Sequence, residues 1–232
     1  MTMTYGTVSW IDLGIPGTAR AAAFYGALFG WDIADADGSG YRVASVHGHP
    51  VAGLGPAEDP GAPYWTVYVA VADIAAAARA CSAAGGTVIA EPAAAGDLGS
   101  FAVTADPMGA PLTLWQPRAH PGTHRSGGHG TLAGAELRTG QPAESGRYLG
   151  RVLGWQLNQD GTLTQGGHTV ARWQSLPAGP QAPHSASWVV AFAVDDVTDA
   201  IERACALGAR PSALGPAVLT DPCGALFGLV AT

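Results

Sequence analysis

At 232 residues, 47% of them hydrophobic, the chain is long enough for two compact domains of about 110 residues each, with real cores. A net charge of −7, with eleven scattered arginines and no lysine, excludes a basic stripe for nucleic acid and any Schiff-base mechanism. Three cysteines, two of them on apolar helical stretches (Cys81 and Cys205), read as reduced core thiols of a cytoplasmic protein. The N-terminus has no signal-peptide pattern, and no run reaches the roughly 18 apolar residues of a membrane span.

Val8 to Ile15 (VSWIDLGI) alternates Trp10, Asp12 and Gly14 against Ile11, Leu13 and Ile15, the pattern of a half-buried strand. Pro16-Gly17-Thr18 leads into a helix with Thr18 as the expected N-cap, and the helix stops at Gly30. Tyr41 to Val46 and Pro50 to Leu54 predict two short strands around the turn His47-Gly48-His49. Tyr64 to Val71 predicts a strand with Tyr64, Thr66 and Tyr68 on one face and valines on the other. An alanine-rich helix from Ile74 to Ala84 ends at Gly85-Gly86. Strands at Thr87 to Ile89 and Phe101 to Thr104 follow, with Glu91 to Ser100 as a loop between them. Asp106-Pro107-Met108-Gly109 turns into a last strand, Pro111 to Trp115.

The chain then repeats itself. Gly30-Trp31 returns as Gly154-Trp155, 124 residues later. The stretch from Trp65 is answered from Trp188, and the Asp106 turn by Asp221-Pro222-Cys223-Gly224. Three echoes in one order make an internal duplication. Its halves are residues 1–117 and 131–232, and the turn-rich stretch 118–130 joins them. The second half carries a shorter counterpart of the Glu91–Ser100 loop and a more charged helix, Val197 to Leu207.

Two βαβββ pairs, with FYGALFGW after the first strand and a DPxG turn before the last, resemble the vicinal oxygen chelate superfamily of glyoxalases, bleomycin-resistance proteins and extradiol dioxygenases. Trp10-Ile11-Asp12-Leu13 and Glu136-Leu137-Arg138-Thr139 are similar to the openings of tandem glyoxalase-like proteins. The resemblance implies an α+β fold: two glyoxalase-like domains, each a pair of βαβββ modules curved into a U-shaped mixed sheet around a ligand cleft. It also implies a pseudo-twofold that buries Trp31 and Trp155 at equivalent places. Since the duplication supplies a partner within the chain, a monomer is the expected state, and the sequence is compatible with a further homodimer.

The superfamily holds a divalent metal on His, Gln and Glu side chains. Counted from the landmarks above, those positions fall on Trp10, Thr66 and Thr113 in one half and on Gly134, Val189 and Gly228 in the other. The remaining position falls near Gly53 and Arg172. None of the first six is an ordinary metal ligand, so the expectation is a protein without metal or other cofactor.

Alternation points Trp10, Asp12, Tyr64, Thr66, Tyr68, Thr113 and Trp115 into the first cup, a lining suited to a flat, partly polar aromatic ligand. Packing between the halves is the competing role for Trp10 and Trp115. The second cup is lined by small residues and Glu136, with Arg138 two residues along. Asp12 and Glu136 hold equivalent places and are the candidate acid/base groups, on the argument that a carboxylate beside indoles in a dry cleft has a raised pKa. A structural ion pair or backbone bonds are the competing role for each. The seven histidines fall in turns and in the linker and carry no site. Two functions follow. One is a metal-independent tailoring enzyme (isomerisation, cyclisation or ring opening) for an aromatic or polyketide-like natural product, as in antibiotic biosynthesis. The other is a protein that binds and sequesters such a compound, as bleomycin-resistance proteins do.

Overall fold

The computed structural model describes residues 4–36, 38–57, 63–123, 127–176 and 186–232. The first half runs β1 (Val8–Ile15), α1 (Thr18–Phe29), β2 (Asp32–Asp35), β3 (Arg42–Val46), β4 (His49–Pro56), β5 (Tyr64–Ala70), α2 (Ile74–Ala83), β6 (Thr87–Ala95), β7 (Gly99–Ala105) and β8 (Pro111–Pro117). The second half repeats it as β9 (Leu132–Thr139), α3 (Pro142–Leu153), β10 (Gln156–Leu157), β11 (Thr162–Gln165), β12 (His168–Ser175), β13 (Ser187–Val194), α4 (Val197–Ala206), β14 (Arg210–Pro211), β15 (Val218–Thr220) and β16 (Leu226–Ala231). Each half forms one eight-stranded mixed sheet, ordered β2-β3-β4-β1-β5-β8-β7-β6 and β10-β11-β12-β9-β13-β16-β15-β14. The fold is α+β, with the duplication visible strand for strand. Parallel pairs β1/β4, β5/β8, β9/β12 and β13/β16 hold the centre of each sheet, and hairpins close its ends. Among the described residues no helix is long and apolar enough to cross a membrane.

Two expectations need correcting, and one strand was not foreseen. Thr18 is not the N-cap of α1: Gly17 is, without a side-chain cap, and the Thr18 hydroxyl instead accepts Arg42 Nε at 3.0 Å. Asp32–Asp35 is a strand although its residues are largely exposed, because it pairs antiparallel with β3. The expected loop Glu91–Ser100 belongs to β6 as far as Ala95 and to β7 from Gly99, and the two strands pair through two register shifts. These backbone bonds form whatever the side chains are, so alanine and proline masked the strand. The stops were legible: α1 and α3 both end on a left-handed glycine, Gly30 (φ 69°) and Gly154 (φ 71°).

By contact density the chain forms two compact units, each taking stretches from both halves. One comprises Trp10–Thr66, Thr123–Ala133 and Val189–Thr232. Its core is aromatic and centred on Tyr25, which stacks on Trp31 at 5.5 Å and meets Phe24, Trp65 and Phe227 edge-on at 4.8, 5.3 and 5.7 Å. Such pairs contribute about 0.5–1.5 kcal/mol each beyond area burial. The Tyr25 hydroxyl is not wasted in this core: it donates to Asp221 Oδ2 (2.8 Å) and accepts the indole N–H of Trp65 (3.1 Å). Asp221 Oδ1 in turn accepts the backbone N–H groups of Cys223, Gly224 and Ala225, which folds the DPxG turn around the carboxylate. Burial, then the Asp221 charge, holds the Tyr25 phenol far above its usual pKa.

The other unit comprises Met1–Ser9, Val67–Gly122 and Gly134–Trp188. The same turn recurs there: Asp106 Oδ1 accepts Met108 and Ala110 N–H, and Oδ2 accepts the Ser145 hydroxyl of α3 at 2.7 Å. Leu149 stands where Tyr25 does, and the buried phenol is Tyr148, which donates to Cys81 Sγ at 3.1 Å. Trp155, fully buried, meets Trp188 edge-on at 6.1 Å.

Candidate functional site

Alternation along β1 works as read: Ile11, Leu13 and Ile15 are buried, and Asp12 and Gly14 are half-buried on the other face. Trp10, on the Asp12 face, is also buried and turns its indole edge towards the carboxylate, so Nε1 donates to Asp12 Oδ1 at 2.6 Å. A second donor, which the alternation did not reveal, reaches the same oxygen: the Tyr41 hydroxyl at 2.7 Å. The indole nitrogen also lies 3.3 Å from that hydroxyl, so the three groups close a triangle around Oδ1. Hydrogen bonds to an ionised acceptor are short and about twice as strong as neutral ones.

The strand register makes room for this. Asp12 is the parallel partner of Gly53 on β4, and a Cβ at residue 53 would collide with both the Tyr41 hydroxyl and the Asp12 carboxylate. The Tyr41 ring continues over Gly55. Burial, then the negative charge of Asp12, raises the Tyr41 pKa, so the phenol stays protonated and remains a donor. Tyr64 and Thr66 belong to the same unit, on the face of β5 opposite the buried Trp65. Tyr64 is exposed and Thr66 half-buried.

The remaining residues read from the sequence lie in the other unit. Tyr68 and Thr113 are partners in the β5/β8 register, and Tyr68 meets Trp115 edge-on at 6.2 Å. Trp115 is packed: its N–H donates to the His120 carbonyl at 3.0 Å, its ring meets the His120 ring at 6.0 Å, and a Cβ at Gly99 would strike it. Thr113 is buried, and its hydroxyl has no hydrogen-bond partner. Glu136 forms an ion pair with Arg138, which is only 6% exposed, and faces Arg172 across the β9/β12 register. Arg138 is buried and Glu136 only partly, so the pair fixes the guanidinium beside the carboxylate. His47 (φ 51°) forms the β3–β4 turn, His168 opens β12, and His129 approaches Asp195 at 3.5 Å; His124 and His184 lie outside the described residues.

These side chains do not fit a divalent metal. Among the described residues there is no group of three or more His, Cys, Asp and Glu placed to hold one. At the positions counted from the landmarks stand an indole that can only donate, the hydroxyls of Thr66 and Thr113, a valine, an arginine and glycines. The carboxylates near them are engaged: Asp12 accepts an N–H and an O–H, and Glu136 is paired with Arg138.

Residues 10–115 and 135–230 both match the family described as "Glyoxalase-like domain". The chain belongs to the glyoxalase-like family. It is a tandem member of the vicinal oxygen chelate superfamily, with one matched domain in each repeated sheet. It is 34% identical over 258 residues to the anthracycline biosynthesis protein DnrV of Streptomyces peucetius, covering 97% of this chain and 93% of that protein. It is 32% identical over 249 residues to the putative glyoxylase CFP32 of Mycobacterium tuberculosis, covering 97% and 94%. Among solved structures, the Mn(II)-bound glyoxalase of Novosphingobium aromaticivorans superposes with a TM-score of 0.66 at 17% identity, covering 98% of this chain and 82% of that one. The 2,2',3-trihydroxybiphenyl 1,2-dioxygenase of Sphingomonas wittichii RW1 also gives 0.66, at 16% identity, covering 99% and 91%. At such identity the likeness is one of fold.

Proposed function

We propose that this protein is a metal-independent tailoring enzyme that moves a proton on an aromatic, polyketide-like natural product, with Asp12 as the acid/base group. The observation that carries the reading is the carboxylate held between the Trp10 indole and the Tyr41 phenol over a glycine. The 34% identity to an anthracycline biosynthesis protein supports a polyketide-like class of substrate. Asp12 takes a proton from an acidic position of the substrate and returns it at another, so isomerisation, cyclisation or ring opening balances without a redox partner. Tyr41, kept neutral, donates a hydrogen bond and fixes the carboxylate; Trp10 does the same and offers an aromatic wall. Tyr64 and Thr66, in the same compact unit, flank the ligand from β5. Glu136, paired with Arg138, takes no part in the proton transfer.

A second reading, capture of the compound without turnover, is favoured by that Glu136–Arg138 pair, which leaves the second half without an evident base. Native mass spectrometry of the purified protein, followed by chromatography of the released compound after incubation, separates the two. The enzyme converts an added aromatic polyketide ketone to a product of equal mass or its ring-opened form. Recovery of the compound unchanged overturns the enzyme reading.

A further inference from the structure

The duplication allows one half to be read as a mutant of the other. On α4, Arg203 Nη2 donates to the carbonyls of Ala27 and Leu28, at 3.0 and 3.2 Å. Those carbonyls belong to the last turn of α1, where the helix offers no N–H of its own and the dipole favours a cation. The helices of the other unit repeat this arrangement residue for residue: α3 ends on Gly154 as α1 ends on Gly30, and α2 starts from Asp73 as α4 starts from Asp196. In that alignment Val152 stands for Leu28, and Ala80 stands for Arg203. A methyl group replaces the guanidinium and can reach no carbonyl.

A cleft of about 360 Å³ occupies the place that the missing side chain leaves, lined among others by Ala76, Ala77, Ala80, Val152 and Leu153. That volume lies within the roughly 300–1,000 Å³ of small-molecule sites. Its walls are mostly apolar, and its single charged lining residue is Asp73, the N-cap of α2, whose carboxylate accepts Ala76 N–H at 2.9 Å. Its polar lining includes Tyr5 and Gln165, whose Nε2 donates to the Leu153 carbonyl at 3.0 Å. Across the cleft lies the carbonyl end of α3. The walls therefore suit an apolar stem, and Asp73 favours positive charge at one end. At the other, the carbonyls that match those held by Arg203 are those of Arg151 and Val152. They lie beside the Leu153 carbonyl that Gln165 already binds, with Arg151 as the one cation of that last turn.

We propose that this cleft binds a small organic cation of the alkylguanidinium class, seated as the Arg203 side chain is seated in the other unit. The inference stands on the two helix pairs alone and is independent of the chemistry assigned to Asp12. The probe is n-butylguanidinium chloride, added at low millimolar concentration to the full chain labelled with ¹³C at alanine methyl groups. Saturable shifts are expected at the methyls of Ala76, Ala77 and Ala80. The uncharged n-butylurea should bind at least about tenfold more weakly, the difference expected when a helix terminus and a carboxylate select for charge.

Ala80→Leu, which fills the cleft without charge, should abolish the saturable shifts. Arg203→Ala should open an equivalent site in the other unit and add a second saturable response, reported by the Ala27 methyl. Shifts that do not saturate, that survive in Ala80→Leu, or that n-butylurea reproduces at equal concentration overturn the proposal. So does a fall in sedimentation coefficient on adding the guanidinium, which would make the natural occupant an arginine of a second copy.

Discussion

The indole N–H of Trp31 ends on the carbonyl of Gly130, at 2.7 Å. Its repeat does the same: Trp155 donates to Gly6 at 2.6 Å, and Gly6 precedes β1 as Gly130 precedes β9. Both glycines have φ near 75° (77° and 74°), and their own N–H groups bond Ala70 and Ala193, again equivalent residues. Each tryptophan thus ties the end of a helix to the segment that opens a first strand, within its own compact unit.

Trp31→Phe and Trp155→Phe should therefore each destabilise the protein by about 2–3 kcal/mol, from the lost bond and a buried carbonyl left without a donor. In a chain of this size that is a fall of roughly 4–12 °C in Tm. Calorimetry of both variants checks it, and the two losses should be of similar size.

Tyr25 links stability to alkaline pH. Its folded pKa lies above the unfolded value near 10.0, because of burial and then the Asp221 charge. Its contribution is therefore complete below about pH 10 and is lost as pH rises towards the folded value, since the unfolded chain sheds its phenolic proton first. Urea unfolding from pH 8 to 11 should show Tyr25→Phe less stable at pH 8 by about 1–3 kcal/mol. Above pH 10 its stability should fall less steeply than wild type, by up to about 1.4 kcal/mol per pH unit.

Gly53 and Gly14 make a matched pair of probes. A Cβ at Gly53 would run into Tyr41 and Asp12, whereas one at Gly14 would meet only the Ala57 methyl at 3.7 Å. Gly53→Ala should cost about 1–3 kcal/mol and displace the indole N–H resonance of Trp10. Gly14→Ala should change stability by less than about 0.5 kcal/mol and leave that resonance in place.

Much of this molecule was legible because the chain states its plan twice: helix faces, glycine stops and DPxG turns recur in order, and a recurrence is hard to misread. β2 and most of β6 were not, since Asp32–Asp35 and Ala93–Ala95 form strands through backbone pairing with neighbours that no local pattern names. Alternation put Asp12 and Trp10 on one face, where they are hydrogen-bonded, yet gave no sign of Tyr41 beside them. Its hydroxyl arrives from outside the strand, and only the register of β1 against β4 shows that Gly53 leaves it space. For the same reason the sequence paired Glu136 with no certainty: whether it faced Arg138 or a ligand depended on side-chain direction, not spacing.

The central claim is that Asp12 carries a proton. Its most direct test is solvent deuterium exchange into an anthracyclinone-type aromatic polyketide ketone, followed by mass spectrometry in D₂O with metal-free, chelator-treated protein. Wild type should incorporate deuterium or form product catalytically. Asp12→Asn should retain binding of the compound and slow incorporation by about 10²-fold or more, the usual worth of a positioned acid/base group. Equal incorporation by wild type and Asp12→Asn, or incorporation by wild type only when a divalent metal is restored, would contradict the account.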